Sequence, residues 1–327
     1  MNRYLAVLWL SIFALSGPTE ARNGEAIDRL FDGVRAGELA EVRRAITDGV
    51  DVDARNHEEA TPLIEAIVYR RPKISSYLLK VGADVDLADH EGNTALIKAS
   101  GMRAIDIASI LERTRAVGHG NEDGETAIVY ATYRCKPADI AALARHGADL
   151  DVRSGTWERT PLIIAARRRC PDTVEKLIDE GANLELREAR NDWTALATAA
   201  RYGRPEAVRY LMEAGANASS KSDEGTPLYL AVKHGHRDAA RWLINGGADS
   251  IGFGVTPLMG AAHHGQADVI DVLVAGGADP NIARNGELPL SVAIDNGSPE
   301  TVRALLEAGA DPNLRDVNGS LPVISAA

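Results

Sequence analysis

The sequence predicts an all-α solenoid in which short helix-turn-helix units stack side by side. Three observations predict it. A threonine or leucine followed by proline or alanine and an aliphatic residue recurs at spacings of 33, 32, 34, 34, 32, 30, 32 and 33 residues. Each recurrence opens an apolar stretch with helical periodicity. A Gly-Ala-Asp or Gly-Ala-Asn triplet closes the units at Gly82, Gly147, Gly181, Gly215, Gly247, Gly277 and Gly309.

The chain begins MNRYLAVLWLSIFALSGPTEARNG, with one basic residue, Arg3, an apolar run from Tyr4 to Leu15, and then small and turn-forming residues. That is the anatomy of a secretory signal peptide, with cleavage expected after Ala21. The run falls short of the about 20 residues a helix needs to cross a bilayer. An uncleaved anchor in the inner membrane is the other reading. No later stretch is apolar for long enough to span a membrane, so no span remains after cleavage. Ala26 to Val52 carries the later half of the repeating pattern and supplies an opening unit.

The first half of each full unit reads TPLIEA at Thr61, TALIKA at Thr94, TAIVYA at Thr126, TPLIIA at Thr160, TALATA at Thr194, TPLYLA at Thr226 and TPLMGA at Thr256. Leu288 (LPLSVA) and Leu321 (LPVISA) continue the series without the threonine. Threonine accepts from a free amide of the first helical turn, proline is tolerated at the first helical position, and Leu and Ala then face the core. After a turn such as RPEAVRYL or SPETVRALL, a second helix carries aliphatic residues at three- and four-residue intervals. Glycine then closes it in the left-handed conformation that other residues avoid. The chain stops at LPVISAA, the start of a first helix that covers the last full repeat.

This pattern resembles the ankyrin-repeat family over residues 24–327, in about nine repeats and a truncated C-terminal unit. The resemblance implies a solenoid whose loop fingers and first helices form a concave binding surface. One departure is consistent: the histidine that follows Thr-Pro-Leu in the family pattern is replaced by Ile64, Ile97, Val129, Ile163, Ala197, Tyr229, Met259, Ser291 and Ile324. Some loss of rigidity is expected from it.

The chemistry of the residues points away from catalysis. The sequence has no GxSxG, no GxxxxGK[ST] and no HExxH, so no catalytic residue and no cofactor is expected. Formal net charge is −11, which disfavours nucleic acid as a partner. His234, His236, His263 and His264 sit at the ends of first helices and in the turns after them. No cysteine or carboxylate completes a metal geometry there, and no metal site is expected. The two cysteines, Cys135 and Cys170, fall at the inter-helix turns of neighbouring repeats, nine and ten residues after their threonines. Export would favour a disulfide between them. Equivalent positions in stacked repeats lie about 10 Å apart, beyond the roughly 7 Å a bridge tolerates, so the one-residue offset decides between a bridge and two free thiols.

Carried over from the family pattern, the binding positions at first-helix ends are Tyr133, Arg134, Arg167, Arg168, Arg201, Tyr202, Lys233 and His234. The finger positions are Trp157, Arg159, Trp193 and Phe253. Cations at helix C-termini already favour the dipole, which alone accounts for one Lys or Arg per repeat. Two tryptophans read as exposed on successive fingers, together with three consecutive arginines, exceed that account, and Trp, Tyr and Arg are the residue types enriched in binding hot spots. The expectation is a monomeric, exported adaptor or inhibitor in the bacterial periplasm whose partner is another protein. The exported bacterial proteins it resembles include immunity proteins against secreted effectors and accessory proteins associated with catalase and oxidative stress. A membrane-anchored periplasmic scaffold is the rival.

Overall fold

The computed structural model describes residues 17–102, 107–249, 256–284, 286–316, 319 and 321–322, with side chains from residue 24 onward. Among them are eighteen α-helices and no named strand, only isolated β-bridges in the fingers such as Ser154 with Arg159. The chain divides into two compact units, Met1–Arg134 with Ala142–Ala148, and Cys135–Ala141 with Asp149–Ala327.

The first unit holds α1 (Gly17–Ala36), α2 (Leu39–Thr47), α3 (Pro62–Val68), α4 (Pro72–Lys80), α5 (Ala95–Ser100), α6 (Ala108–Leu111) and α7 (Ala127–Tyr133). The opening segment, which reads in sequence as half a repeat, forms both helices. Leu30, Phe31 and Val34 of α1 are buried, so this helix supplies the apolar face that the next repeat needs. Helix α8 (Pro137–Arg145) follows. The second unit then carries α9 (Pro161–Arg167), α10 (Pro171–Asp179), α11 (Ala195–Arg201), α12 (Pro205–Glu213), α13 (Pro227–Lys233) and α14 (Arg237–Asn245). It ends with α15 (Pro257–His264), a 3-10 turn at Ala267–Val269, α16 (Ile270–Ala275), α17 (Pro289–Asp295) and α18 (Pro299–Glu307).

Two local devices set these helices. At the start, Thr61, Thr94, Thr160, Thr194, Thr226 and Thr256 cap their helices, each hydroxyl accepting from the amide three residues on, at 3.1–3.4 Å. Thr126 is the exception: its hydroxyl is buried and makes no cap bond. The donating amides belong to the positions where the family pattern has histidine. Here Ile64, Ile97, Ile163, Ala197 and Met259 are buried there, so those positions pack the core. At the far end the second helices close as α10 does: Gly181, at φ 95°, donates to the Ile178 carbonyl and Ala182 to that of Leu177, both at 3.0 Å.

Burial is lopsided between the helices of a pair. Pro161 through Ala166 are all buried in α9, whereas α10 buries only Thr173, Val174 and Leu177. First helices are therefore the core of each unit, with each fully buried Leu or Ile contributing about 1.5–3 kcal/mol. Side chains in the fingers tie successive repeats: Asp151 accepts from the Asn183 amide at 2.9 Å, and Glu185 from that of Asn217 at 2.8 Å.

Cys135 and Cys170 are joined, with Cα atoms 5.6 Å apart. The offset that sequence reading leaves open is what closes the gap. Cys135 stands at the left-handed turn position that Gly203 and Gly235 fill in later repeats, with φ 55° against their 59° and 70°. Cys170 stands at the residue before the second helix, the place of Arg204, His236 and Gln266. A Cβ added at Gly203 would meet His236 Nδ1 at 2.5 Å, and one at Gly235 would collide with the Gln266 side chain. The left-handed position thus aims at the next repeat's pre-helix side chain. In this one turn a covalent bond takes the place of that contact.

Candidate protein-binding face of the second unit

The first-helix ends and fingers of the second unit bring six of the twelve expected site residues into two clusters. In the first, Trp157 lies beneath two guanidinium groups, with Arg159 Cζ 4.0 Å and Arg190 Cζ 4.8 Å from its ring centre. Arg159 is not a free charge. Its Nε pairs at 2.6 Å with the carboxylate of Glu188, which is 2% exposed and also accepts from Asn191 at 3.0 Å. Glu188 is thus the anchor that sets the arginine over the indole.

The second cluster forms where α9 and α11 end. Arg167 Cζ lies 4.9 Å from the Tyr202 ring, and Arg201 Cζ is 5.6 Å from Tyr202 and 5.8 Å from Trp193. Trp193 meets Tyr202 edge-on at 6.3 Å. Trp193 itself corrects the sequence reading of two exposed tryptophans. It is 5% exposed and packs against Ala197 and Leu230 of the first helices α11 and α13. Its indole N–H has no acceptor, and Arg201 Nε and His234 Nε2 are also buried without one.

Further along, Lys233 is paired with Glu224 at 3.1 Å. Burial, reinforced by the Arg201 and Lys233 cations, pushes the His234 imidazole down to about 4, so it is neutral at pH 7. His236 Nε2 lies 3.1 Å from the Arg201 carbonyl and bridges repeats. His263 and His264 are exposed, with ring centres 5.0 Å apart. Among the described residues no three His, Cys, Asp or Glu side chains are grouped to hold a metal.

The turn after α9 differs from its equivalents. Arg168 has ψ 171°, whereas Tyr202 and His234 at the same place have 5° and 9°. This takes Arg169 out of the left-handed slot that Cys135 and Gly203 occupy. Arg168 and Arg169 are both exposed. Arg204 reaches back to donate to the Arg167 carbonyl at 3.0 Å, and burial together with the nearby Arg169 cation lowers its guanidinium below the ordinary value.

Tyr133, half-buried, and Arg134, exposed, belong to the first unit at the end of α7. Phe253 lies outside the described residues. Arg190, Glu188 and Arg204 were not singled out in the sequence. The run REARNDW before Thr194 was the available signal, since it places an arginine and a carboxylate on the finger beside that of Trp157.

Among the described residues no helix is long and apolar enough to cross a membrane. No curated protein matches the sequence. The chain is similar in structure to the ankyrin repeat domain of human ASB11, with TM-score 0.53 and 23% identity over 62% of this chain and 92% of that one. It is also similar to the ankyrin repeat domain of Bcl-3, described as a unique member of the IkappaB protein family, with TM-score 0.58 and 28% identity over 66% of this chain and 97% of that one. A model for ankyrin repeats in three copies matches residues 30–117, 181–252 and 248–316, and one for many copies matches 143–199. With the threonine caps, the glycine closures and these matches along most of its length, the chain belongs to the ankyrin-repeat family.

Proposed function

We propose that this interaction module is exported and acts in the bacterial periplasm as a monomeric adaptor or inhibitor, binding one partner protein through the first-helix face of its second unit. The observation that carries the reading is the arginine–aromatic surface built from Arg167, Arg201, Tyr202, Trp157 and Arg190. Such side chains dominate interface energetics when a partner desolvates them. Export is supported by the apolar run from Tyr4 to Leu15 and by a disulfide, which persists in oxidising compartments. Within this reading we put forward neutralisation of a secreted effector, the role of the immunity proteins it resembles. A catalase-associated accessory role is the second form of the same binding activity.

Affinity capture from an export-competent cell tests the interface. Wild type is expected to recover a partner that Trp157→Ala with Arg168→Glu does not, and equal recovery overturns the placement. Intact mass of the exported protein tests the leader. A mature N-terminus near Arg22 supports a released periplasmic protein, whereas an intact Met1 supports the membrane-anchored scaffold.

A further inference from the structure

Among the described residues, nine of the nineteen basic side chains of unit 2 are paired with carboxylates. Arg159 binds Glu188, Arg187 binds Asp192, Arg209 binds Glu213, Lys233 binds Glu224 and Arg237 binds Asp271. Other basic residues that lack such a pair stand singly along the unit, whereas four arginines gather at the ends of α9 and α11. Arg167, Arg169, Arg201 and Arg204 have no carboxylate partner among the described residues, although the whole chain carries a net charge of −11. Burial, and after it the Arg169 cation, lowers the Arg204 guanidinium below the ordinary value. At the base of the cluster Trp193 is more than nine-tenths buried, yet its N–H lacks an acceptor, as does Arg201 Nε. Buried donors are ordinarily satisfied, so the cluster is short of acceptor oxygens as well as of negative charge.

Resting on the partner-binding reading above, we infer that the junction of Arg167, Arg201 and Tyr202 is a carboxylate-recognition subsite, and that the partner presents an acidic, extended segment of its chain to it. A guanidinium fork matches a carboxylate in two parallel hydrogen bonds. Tyr202, with Arg167 Cζ 4.9 Å and Arg201 Cζ 5.6 Å from its ring centre, adds apolar ring surface beside the guanidinium groups for the methylenes of a Glu side chain. The Trp157 cluster, on the finger that leads into α9, is a second arginine–aromatic patch for the residues that flank the acid. Phosphate would satisfy the same charge. A polyphosphate backbone, however, would meet the field of a strongly acidic chain along its whole length, whereas a short acidic segment meets it only at this junction.

The probes are a fluorescently labelled ten-residue polyglutamate, the matching polyglutamine and a ten-residue oligothymidylate, each titrated by anisotropy into the full mature protein at fixed ionic strength. Polyglutamate is expected to bind about tenfold or more tighter than polyglutamine, as charge-assisted pairs do. Arg167→Gln with Arg201→Gln should remove that margin. Arg209→Gln, which alters a paired arginine on α12, should keep it. Circular dichroism melts confirm that each variant folds, and Tyr202→Leu, which leaves every arginine in place, should still weaken polyglutamate. Equal affinity for the two peptides, an equal loss in Arg209→Gln, or oligothymidylate binding as tight as polyglutamate would each overturn the proposal. Capture of a partner that depends on Trp157 and Arg168 without any preference for polyglutamate would discard the acidic subsite and leave the partner-binding reading in place.

Discussion

The two finger tryptophans have opposite duties, and their substitution separates them. Trp193 is core, so Trp193→Ala is expected to lower unfolding free energy by about 3–5 kcal/mol, read from denaturant melts. Trp157 sits half-buried between arginines, and Trp157→Ala is expected to cost less than about 1 kcal/mol while reducing partner recovery. Equal destabilisation by both would contradict the assignment. Residue type alone does not distinguish them, although their places in the repeat do: Trp193 directly precedes its threonine, where Ala60 and Asn93 are buried, whereas Trp157 stands three residues before Thr160, where Glu58, Glu91 and Asp123 are exposed. In the fold Trp193 packs against Ala197 and Leu230, whereas Trp157 stands beside Arg159 and Arg190. The same limit applied to Arg159, whose buried counter-ion lies on the following finger.

His234 gives a signed dependence on pH. Its folded value near 4 lies below the ordinary 6.5, so the unfolded chain binds more protons between those values and stability must rise with pH across that window. His236 and His264, both lowered mainly by burial, act in the same direction. Because the His234 ring is partly open to solvent, its share is about 1–2 kcal/mol. Melting temperature should therefore fall as pH drops from 7 to 4.5, and His234→Asn should flatten the fall. An unchanged slope in that variant would remove His234 as its source.

At the scale of the element, the repeat was the most legible part of the sequence because two of its residues act alone. A threonine cap and a left-handed glycine each need only their own few neighbours, so spacing in the chain reveals them. The disulfide was less legible. Its geometry depends on a turn in one repeat aiming at the pre-helix residue of the next, and the roughly 10 Å repeat spacing by itself argued against a bond. Reduction, or Cys135→Ser with Cys170→Ser, is expected to lower stability by about 2–4 kcal/mol. In a Cys170→Ser background, Cys135→Gly should be more stable than Cys135→Ala by about 1 kcal/mol, since φ is 55° there. Equal melts for the Gly and Ala variants would show that the turn relaxes once the bond is gone.

For the molecule as a whole, the repeats explain how a chain with no catalytic signature is built for surface. The first helices form the core of each unit, which leaves helix ends and fingers free to vary, and in the second unit that variation concentrates cations and aromatics in neighbouring repeats. Their sequence showed the residue types and the face, but not which charges were already neutralised. Charge pairing between repeats is set by side chains about 30 positions apart, as with Arg159 and Glu188, and is read only from the fold.

The central claim is that a partner protein docks on the first-helix face of the second unit. Site-specific photo-crosslinking in the exporting cell tests it most directly, with the reactive residue placed at Tyr202 or Arg168 on that face, or at Arg209 or Trp242 on the second helices. One discrete crosslinked product is expected from Tyr202 and Arg168 and none from Arg209 and Trp242. Crosslinks from the second-helix positions alone would contradict the claim.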